Sequence, residues 1–557
     1  MPLLQRGKLL LVLIFALLAS CGGGGSDPGT APIANMNSSG TTPAPQGGTP
    51  PASEQPQNPP PVTAPPKDPP PDNPPPDNPP PDNPPPPQVN AIQLENRKTS
   101  DQGATNEWEI PDSLYASNRE IEGYASATSV NRGGSIRLYV NTVDPSYTIS
   151  IYRMGWYGGQ GGRLVAPPVR RTGIRQPAPR FDASTRLVEC DWTDPYVLAI
   201  PENRDDPTDW ASGIYLAKLT GSSGKQSYII FVVRDDSRNS AILFQSSVTT
   251  YAAYNNWGGY NFYPDYSVGN TAAHKLSFNR PYRNEQIRLN GKGAGDFFEW
   301  EINMLRFVER EGFDVTYSTN IDTDAAPGRL LAHRGFLSVG HDEYWTKNMR
   351  DGLESARDNG VNLAFIGANT GYWQIRLEPG ANGDARRTVV GYKYDTAAED
   401  PLFETDPAVA TTLWRDAPVN RPEASLIGVM YDYNSLDLDM VIANCPNWIC
   451  AGTGIRSGSV LAGMLGYEVD RVDASSPAGI AVIGASPYEV CRNPDCTEKD
   501  LRYANMTYYN APSGAGVFAT GSMNWNWGVD DYGPNGYRVN PAVQGITRNV
   551  LRRFVGP

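Results

Sequence analysis

The chain has 557 residues and a net charge of −13, from 47 Lys and Arg against 60 Asp and Glu. No basic cluster interrupts that acidic balance, which argues against nucleic acid or an anionic membrane surface as partner. Tyrosine is plentiful at 29 and tryptophan reaches 12, whereas histidine stops at three, so a metal site here would draw on oxygen ligands and the rings would suit sugar faces.

Arg6 and Lys8 precede an unbroken apolar run from Leu9 to Leu18. That is the length of a signal-peptide core and falls short of the roughly 20 residues that span a bilayer. Leu18-Ala19-Ser20-Cys21 follows at once and resembles the lipobox of bacterial lipoproteins. The resemblance implies cleavage of residues 1–20, lipid on Cys21, and anchorage in the cell envelope, with the outer membrane as the expected site, facing periplasm or exterior. Residues 21–90 are mostly Gly, Pro, Ser, Thr, Asn and Asp, and Pro69-Pro70-Pro71-Asp72-Asn73 recurs twice more, ending at Asn83. Such a segment buries too little apolar surface to offset the entropy of ordering it. It reads as a disordered stalk, and about 40 residues of polyproline II would reach on the order of 100 Å.

Residues 91–237 read as an antiparallel β-sandwich. Ser135–Val140 and Tyr147–Arg153 alternate, as do Gly213–Leu219 and Gln226–Val233, with Gly, Pro and Asn turns between them. Tyr157 to Gly162 is a glycine-rich turn with no helix behind it, hence a structural loop. Residues 238–557 change pattern. Ala241–Gln245, Phe313–Tyr317, Gly335–Val339 and Val361–Ile366 read as buried strands, while Phe297–Glu311 and Thr346–Asn359 have helical spacing, with Thr346 as a cap. Alternating strands and helices predict a parallel sheet covered by helices, with functional residues at the carboxyl ends of its strands. Beyond about Gly380 the sequence reads as loop-rich, with strands at Ser425–Tyr431, Gly479–Gly484 and Gly516–Thr520.

Cys445 and Cys450 are five apart, as are Cys491 and Cys496. In an exported protein each pair reads as a local disulfide, with zinc binding as the alternative, and Cys190 is left without an obvious partner. No GxSxG elbow, HExxH helix, Walker loop or dinucleotide fingerprint is present. The candidate site is the turn after Val339, where His341, Asp342, Glu343 and Tyr344 put an imidazole, two carboxylates and a phenol together. Helix capping and chemistry explain such a cluster equally well.

Several segments resemble the large-subunit family of N,N-dimethylformamidase. They are Thr250 to Gly259, Gly340 to Trp345 and Gly367 to Trp373, together with Tyr152 to Tyr157, Ser212 to Ala217 and Gly466 to Arg471. The resemblance covers nearly everything after about residue 107. It implies a β-sandwich followed by a glutamine-amidotransferase-like (flavodoxin-like) α/β domain. It also implies hydrolysis of a small tertiary amide at a mononuclear iron held by two tyrosines and a glutamate, and a small partner subunit. Matched by motif, the ligands are Tyr215, Tyr254 and Glu343, with Tyr251 as rival to Tyr254. His341, Asn369 and Glu468 match positions beside the metal, as proton shuttle, carbonyl hydrogen-bond donor and base. Phenolate and carboxylate suit Fe3+ as hard donors, and its charge would keep both tyrosines ionised below the usual pKa of about 10. The expected activity is therefore metal-dependent hydrolysis of a C–N bond in a small amide, with oligomerisation left open. The competing reading is a non-catalytic surface module that binds glycans through its rings, or a structural envelope lipoprotein. Trp257, Trp373, Trp525 and Trp527 read as packing, with pocket walls as the alternative.

Overall fold

The computed structural model describes residues 89–283 and 291–556; residues 1–20, Cys21 and nearly all of the stalk lie outside them. The fold is mixed and β-rich, with a few helices. No described helix is long and apolar enough to cross a membrane.

The first layer contains β1 (Ile121–Ala125), β2 (Ser135–Thr142), β3 (Ser146–Met154), β4 (Tyr196–Ala199), β5 (Gly213–Gly221) and β6 (Gln226–Arg234). β3, β5 and β6 pair in that order in one sheet, and β4, β2 and β1 form the other. All of these pairings are antiparallel. Alternation decides the packing. Ile136, Leu138, Ile149, Ile151, Tyr215, Ala217, Leu219 and Phe231 fill the space between the two sheets. The intervening residues of β5 and β6, among them Ile214, Leu216, Ile230 and Val232, turn the other way into a second core shared with the rest of the chain.

The second layer begins with β7 (Ile242–Ser246) and α1 (Val248–Tyr254). α2 (Ile302–Arg310), β8 (Val315–Thr319), β9 (Gly335–Gly340), α3 (Lys347–Asp358) and β10 (Asn362–Gly367) follow. Four long strands come next: β11 (Met430–Val441), β12 (Val460–Arg471), β13 (Ala481–Cys491) and β14 (Lys499–Asn510). β15 (Gly516–Ala519) and α4 (Pro541–Val555) end the chain. The sheet order is β8-β7-β9-β10-β15-β14-β13. Its first five strands are parallel and the last two are antiparallel additions. Both faces are buried. Leu243, Phe336, Leu363, Phe365 and Val517 pack with Met349 and Leu353 of α3, whereas Phe244, Leu337, Val339, Ala364, Ile366 and Phe518 share a core with α2 and α4.

Two expectations need correction. Residues 424–427 form a short helix, and the strand placed at Ser425–Tyr431 starts at Met430 and runs to Val441. The region after Gly380 is also richer in strand than its sequence reads. β11 to β14 make two antiparallel ribbons, β11 with β12 and β13 with β14, and the first has three register shifts. Bulges and half-exposed polar residues erase the period-two pattern there. The Cys445–Cys450 and Cys491–Cys496 disulfides are both formed, and Cys190 is a buried free thiol.

Candidate active site

β7 and β9 are neighbours in the parallel sheet, and the chains leaving their carboxyl ends frame a crevice. After β7, α1 ends with Tyr254. After β9, Gly340 takes a φ of +70° and turns the chain into His341, Asp342 and Glu343. A Cβ on Gly367, at the end of β10, would lie 2.1 Å from the Gly340 carbonyl oxygen, so glycine lets the two strand ends approach this closely.

The alternative between capping and chemistry resolves residue by residue. Thr346 caps α3, its Oγ1 accepting from the Met349 amide at 3.2 Å, so neither acid is needed there. Asp342 is structural, its carboxylate accepting from Gln245, Asn320 and Ser338 at 2.9 Å each. Glu343 has other partners. Its amide donates to Thr250 Oγ1 at 3.0 Å, and its carbonyl accepts from the Trp373 amide at 3.0 Å. With the backbone held from both sides, the carboxylate meets two phenols. Tyr254 donates to Oε2 at 2.9 Å, and Tyr263 donates to the Tyr254 oxygen at 2.6 Å while lying 3.3 Å from both Glu343 oxygens. Tyr344 is 2.6 Å from Tyr263, and Lys393 Nζ donates to the Tyr344 hydroxyl at 2.7 Å.

A second group borders this one. His341 Nε2 sits 3.2 Å from Glu343 Oε2 and 3.1 Å from Glu468 Oε2. Neither contact has hydrogen-bond alignment, so His341 Nε2 and Glu468 Oε2 are buried without a hydrogen-bond partner, as is Asn369 Oδ1. Asn369 is held at a φ of +55°, and its amide donates to Asp470 Oδ1 at 2.8 Å. Strand alternation places Glu468 and Asp470 on the same face of β12.

Electrostatics sharpen the picture. Burial, reinforced by Glu343, holds the Tyr254 and Tyr263 phenols well above their ordinary pKa. Burial pushes the His341 pKa down, but Glu468 and Glu343 outweigh it and keep the imidazole protonated. Burial opposes ionisation of Glu343, and His341, Lys393 and Tyr254 overcome it, so the carboxyl lies below its usual range. Burial brings Lys393 down to about 7 against the pull of Glu343 and Glu468. The phenols therefore stay protonated unless a further positive charge enters.

Of the residues singled out in the sequence, Tyr254, Glu343, His341, Glu468 and Asn369 belong to this region. Tyr215 does not. It is fully buried between the sandwich sheets, ring-stacked on Trp210 and Phe231, and donates to the Ala211 carbonyl at 2.7 Å. Alternation along β5 explains this: Ile214 and Leu216 face the second layer, so Tyr215 must face away. Tyr251 lies 3.2 Å from Ser246 Oγ rather than on Glu343. Sequence reading missed Tyr263, nine residues after Tyr254, and Lys393. The run Tyr260-Asn261-Phe262-Tyr263 has no periodicity to mark it. Trp257, Trp525 and Trp527 pack, their indole nitrogens donating to Glu122, Thr547 and the Glu299 carbonyl. No tryptophan is among the exposed large apolar side chains of the described residues.

Tyr254, Tyr263 and Glu343 form a convergent set of hard oxygen donors with three unpartnered polar atoms beside it, which fits a highly charged iron. Among the described residues no group of three or more His, Cys, Asp or Glu is arranged to hold a metal, so phenols are indispensable to the set.

The family described as N,N-dimethylformamidase beta subunit-like, C-terminal, matches residues 148–538. The chain belongs to this family. The N,N-dimethylformamidase beta subunit of Alcaligenes sp is 22% identical over 331 residues, covering 50% of this chain and 40% of that protein. The subunit from Paracoccus aminophilus is 22% identical over 327 residues, with the same coverage. The chain thus spans about two-fifths of the length of these relatives. Among solved structures, murine CEACAM1b aligns with a TM-score of 0.11 at 12% identity, over 21% of this chain and 54% of its own. A Paenibacillus sp. cycloisomaltooligosaccharide glucanotransferase aligns at 0.14 and 8% identity, over 72% and 68%. Neither likeness carries an argument.

Proposed function

We propose that this member of the N,N-dimethylformamidase beta subunit-like family is an exported, iron-dependent hydrolase of a C–N amide bond, anchored to the bacterial envelope through lipid on Cys21. The observation that carries the chemistry is the convergence of Tyr254, Tyr263 and Glu343 within hydrogen-bonding distance of one another. The two formed disulfides favour an oxidising compartment. The parallel strands run 2-1-3-4-5 in chain order, which supports a flavodoxin-like reading of the second layer and puts the crevice at its topological switch point.

On this reading Tyr254, Tyr263 and Glu343 hold the iron, with Tyr263 in the place expected for Tyr215. When bound, iron supplies a Lewis acid and acidifies water at near-neutral pH. The chain's own groups do the rest. Glu468 accepts the proton of the attacking water at Oε2, and Asn369 donates its side-chain Nδ2–H to the substrate carbonyl oxygen. The water oxygen bonds to the carbonyl carbon and the C–N bond breaks. His341 gives its Nε2 proton to the departing nitrogen, releasing an amine and a carboxylic acid. The test is iron content and hydrolysis of N,N-dimethylformamide by the purified full chain, before and after chelation. Stoichiometric iron with activity lost on chelation and restored by iron supports the proposal. A chain that takes up no iron after aerobic reconstitution, or whose activity ignores chelation, overturns it.

A further inference from the structure

The mouth of the crevice is walled by rings from three separate segments. Tyr372 and Trp373 follow the turn after β10, Tyr394 begins a short helical turn, and Tyr431 lies near the start of β11. Trp373 packs against Tyr372 at 5.4 Å and Tyr394 at 5.1 Å, while Tyr372 meets Tyr431 at 5.0 Å between ring centroids. The Trp373 amide donates to the Glu343 carbonyl at 3.0 Å, and burial, with a smaller contribution from Glu343, raises the pKa of all three phenols.

Tyr394 departs furthest from an ordinary core aromatic. It is 56% exposed and held at a φ of +52°. A large side chain rarely adopts that backbone conformation, and exposure leaves its ring free on one side. Among the described residues, the Arg and Lys nearest these rings are already engaged. Arg415 is held by Glu423 at 2.7 Å and by the Tyr431 carbonyl at 3.1 Å. Lys393 points its ammonium at Tyr344 and sits over the Tyr263 ring at 3.7 Å. A carboxylate at the mouth would gain no ion pair from Arg415 or Lys393, whereas a flat neutral group would meet the exposed Tyr394 ring.

Resting on the hydrolase reading of the crevice, we infer that its substrate is a neutral amide bearing a planar aromatic group, stacked at the mouth against Tyr394, whose ring is backed by the buried Trp373. N,N-dimethylformamide has no ring to lay on the exposed face of Tyr394. The test compares binding of formanilide and N,N-dimethylformamide to the purified full chain by calorimetry, with and without iron. Formanilide is expected to bind at least about tenfold more tightly, a factor within reach of one added ring contact together with its buried area. Tyr394→Ala should shrink that preference at least about fivefold and Tyr394→Phe should keep it. Tyr503→Ala, at a 49% exposed ring on β14, should leave it intact. Thermal melts confirm that each variant is folded, and Tyr394→Leu substitutes if Tyr394→Ala is not. Equal affinity for the two probes, or a preference indifferent to loss of the Tyr394 ring, overturns the inference. The two readings fail separately: aryl preference without hydrolysis sinks the hydrolase, and hydrolysis without aryl preference sinks the aromatic mouth.

Discussion

Tyr215 in the sandwich and Tyr254 in the crevice are tyrosines in aromatic surroundings, and burial raises the phenol pKa of both. Their hydroxyls meet different groups. Tyr215 donates to one backbone carbonyl between two flat rings, which satisfies its only donor and leaves a neutral, inert core. Tyr254 donates to a carboxylate and accepts from a second phenol, beside a protonated imidazole. The contrast teaches that neither burial nor an aromatic neighbourhood marks a ligand tyrosine. The acceptor does: a carbonyl ends the chain of partners, whereas a carboxylate shared between phenols builds a donor set that a cation can organise.

The largest break in this comparison should come from Glu343→Ala. It removes the acceptor that unites Tyr254, Tyr263 and His341, and amide hydrolysis should fall on the order of 10³-fold together with iron content. Tyr254→Phe and Tyr263→Phe should each cost on the order of 10²-fold in activity, read from initial rates. Carboxylates show the same division as tyrosines. Glu301 accepts from Ser247 and Ser246, and burial raises it to about 7. In the folded state it holds a proton that the unfolded chain releases, so its contribution to stability is full below about 4.5 and is lost as pH rises towards 7. Glu301→Gln should flatten that slope in urea melts by a few kcal/mol, and an unchanged slope would remove Glu301 as its source. Reducing the two short-loop disulfides should cost about 2 kcal/mol each while leaving iron bound, since one closes a loop in the β11–β12 connection and the other the β13–β14 turn. The smallest effect belongs to Tyr215→Phe, which should cost about 1 kcal/mol in stability and leave activity intact.

Much of this architecture is written in local pattern. Period-two alternation announces β2, β3, β5 and β6, and buried apolar runs announce β7, β9 and β10, because each face packs on a core. The turn after β9 is legible as a site because strand ends in a parallel sheet gather polar residues. Two things are not legible. The face on which Tyr215 lies depends on which side of β5 the second layer covers, and a short motif does not specify that. Tyr263 and Lys393 reach the crevice from irregular segments, where no repeat ties sequence position to direction. Of the ribbons β11 to β14 only the starts of β11 and β13 are read, at Tyr431 and up to Gly484, because bulges reset the alternation.

The most direct test of the central claim is the visible spectrum of the iron-reconstituted full chain beside its Tyr254→Phe, Tyr263→Phe and Tyr215→Phe variants. The account predicts a tyrosinate-to-iron charge-transfer band that shifts and weakens in the first two and is unchanged in the third. A band that survives both crevice substitutions but disappears with Tyr215 would contradict it, as would a colourless protein throughout.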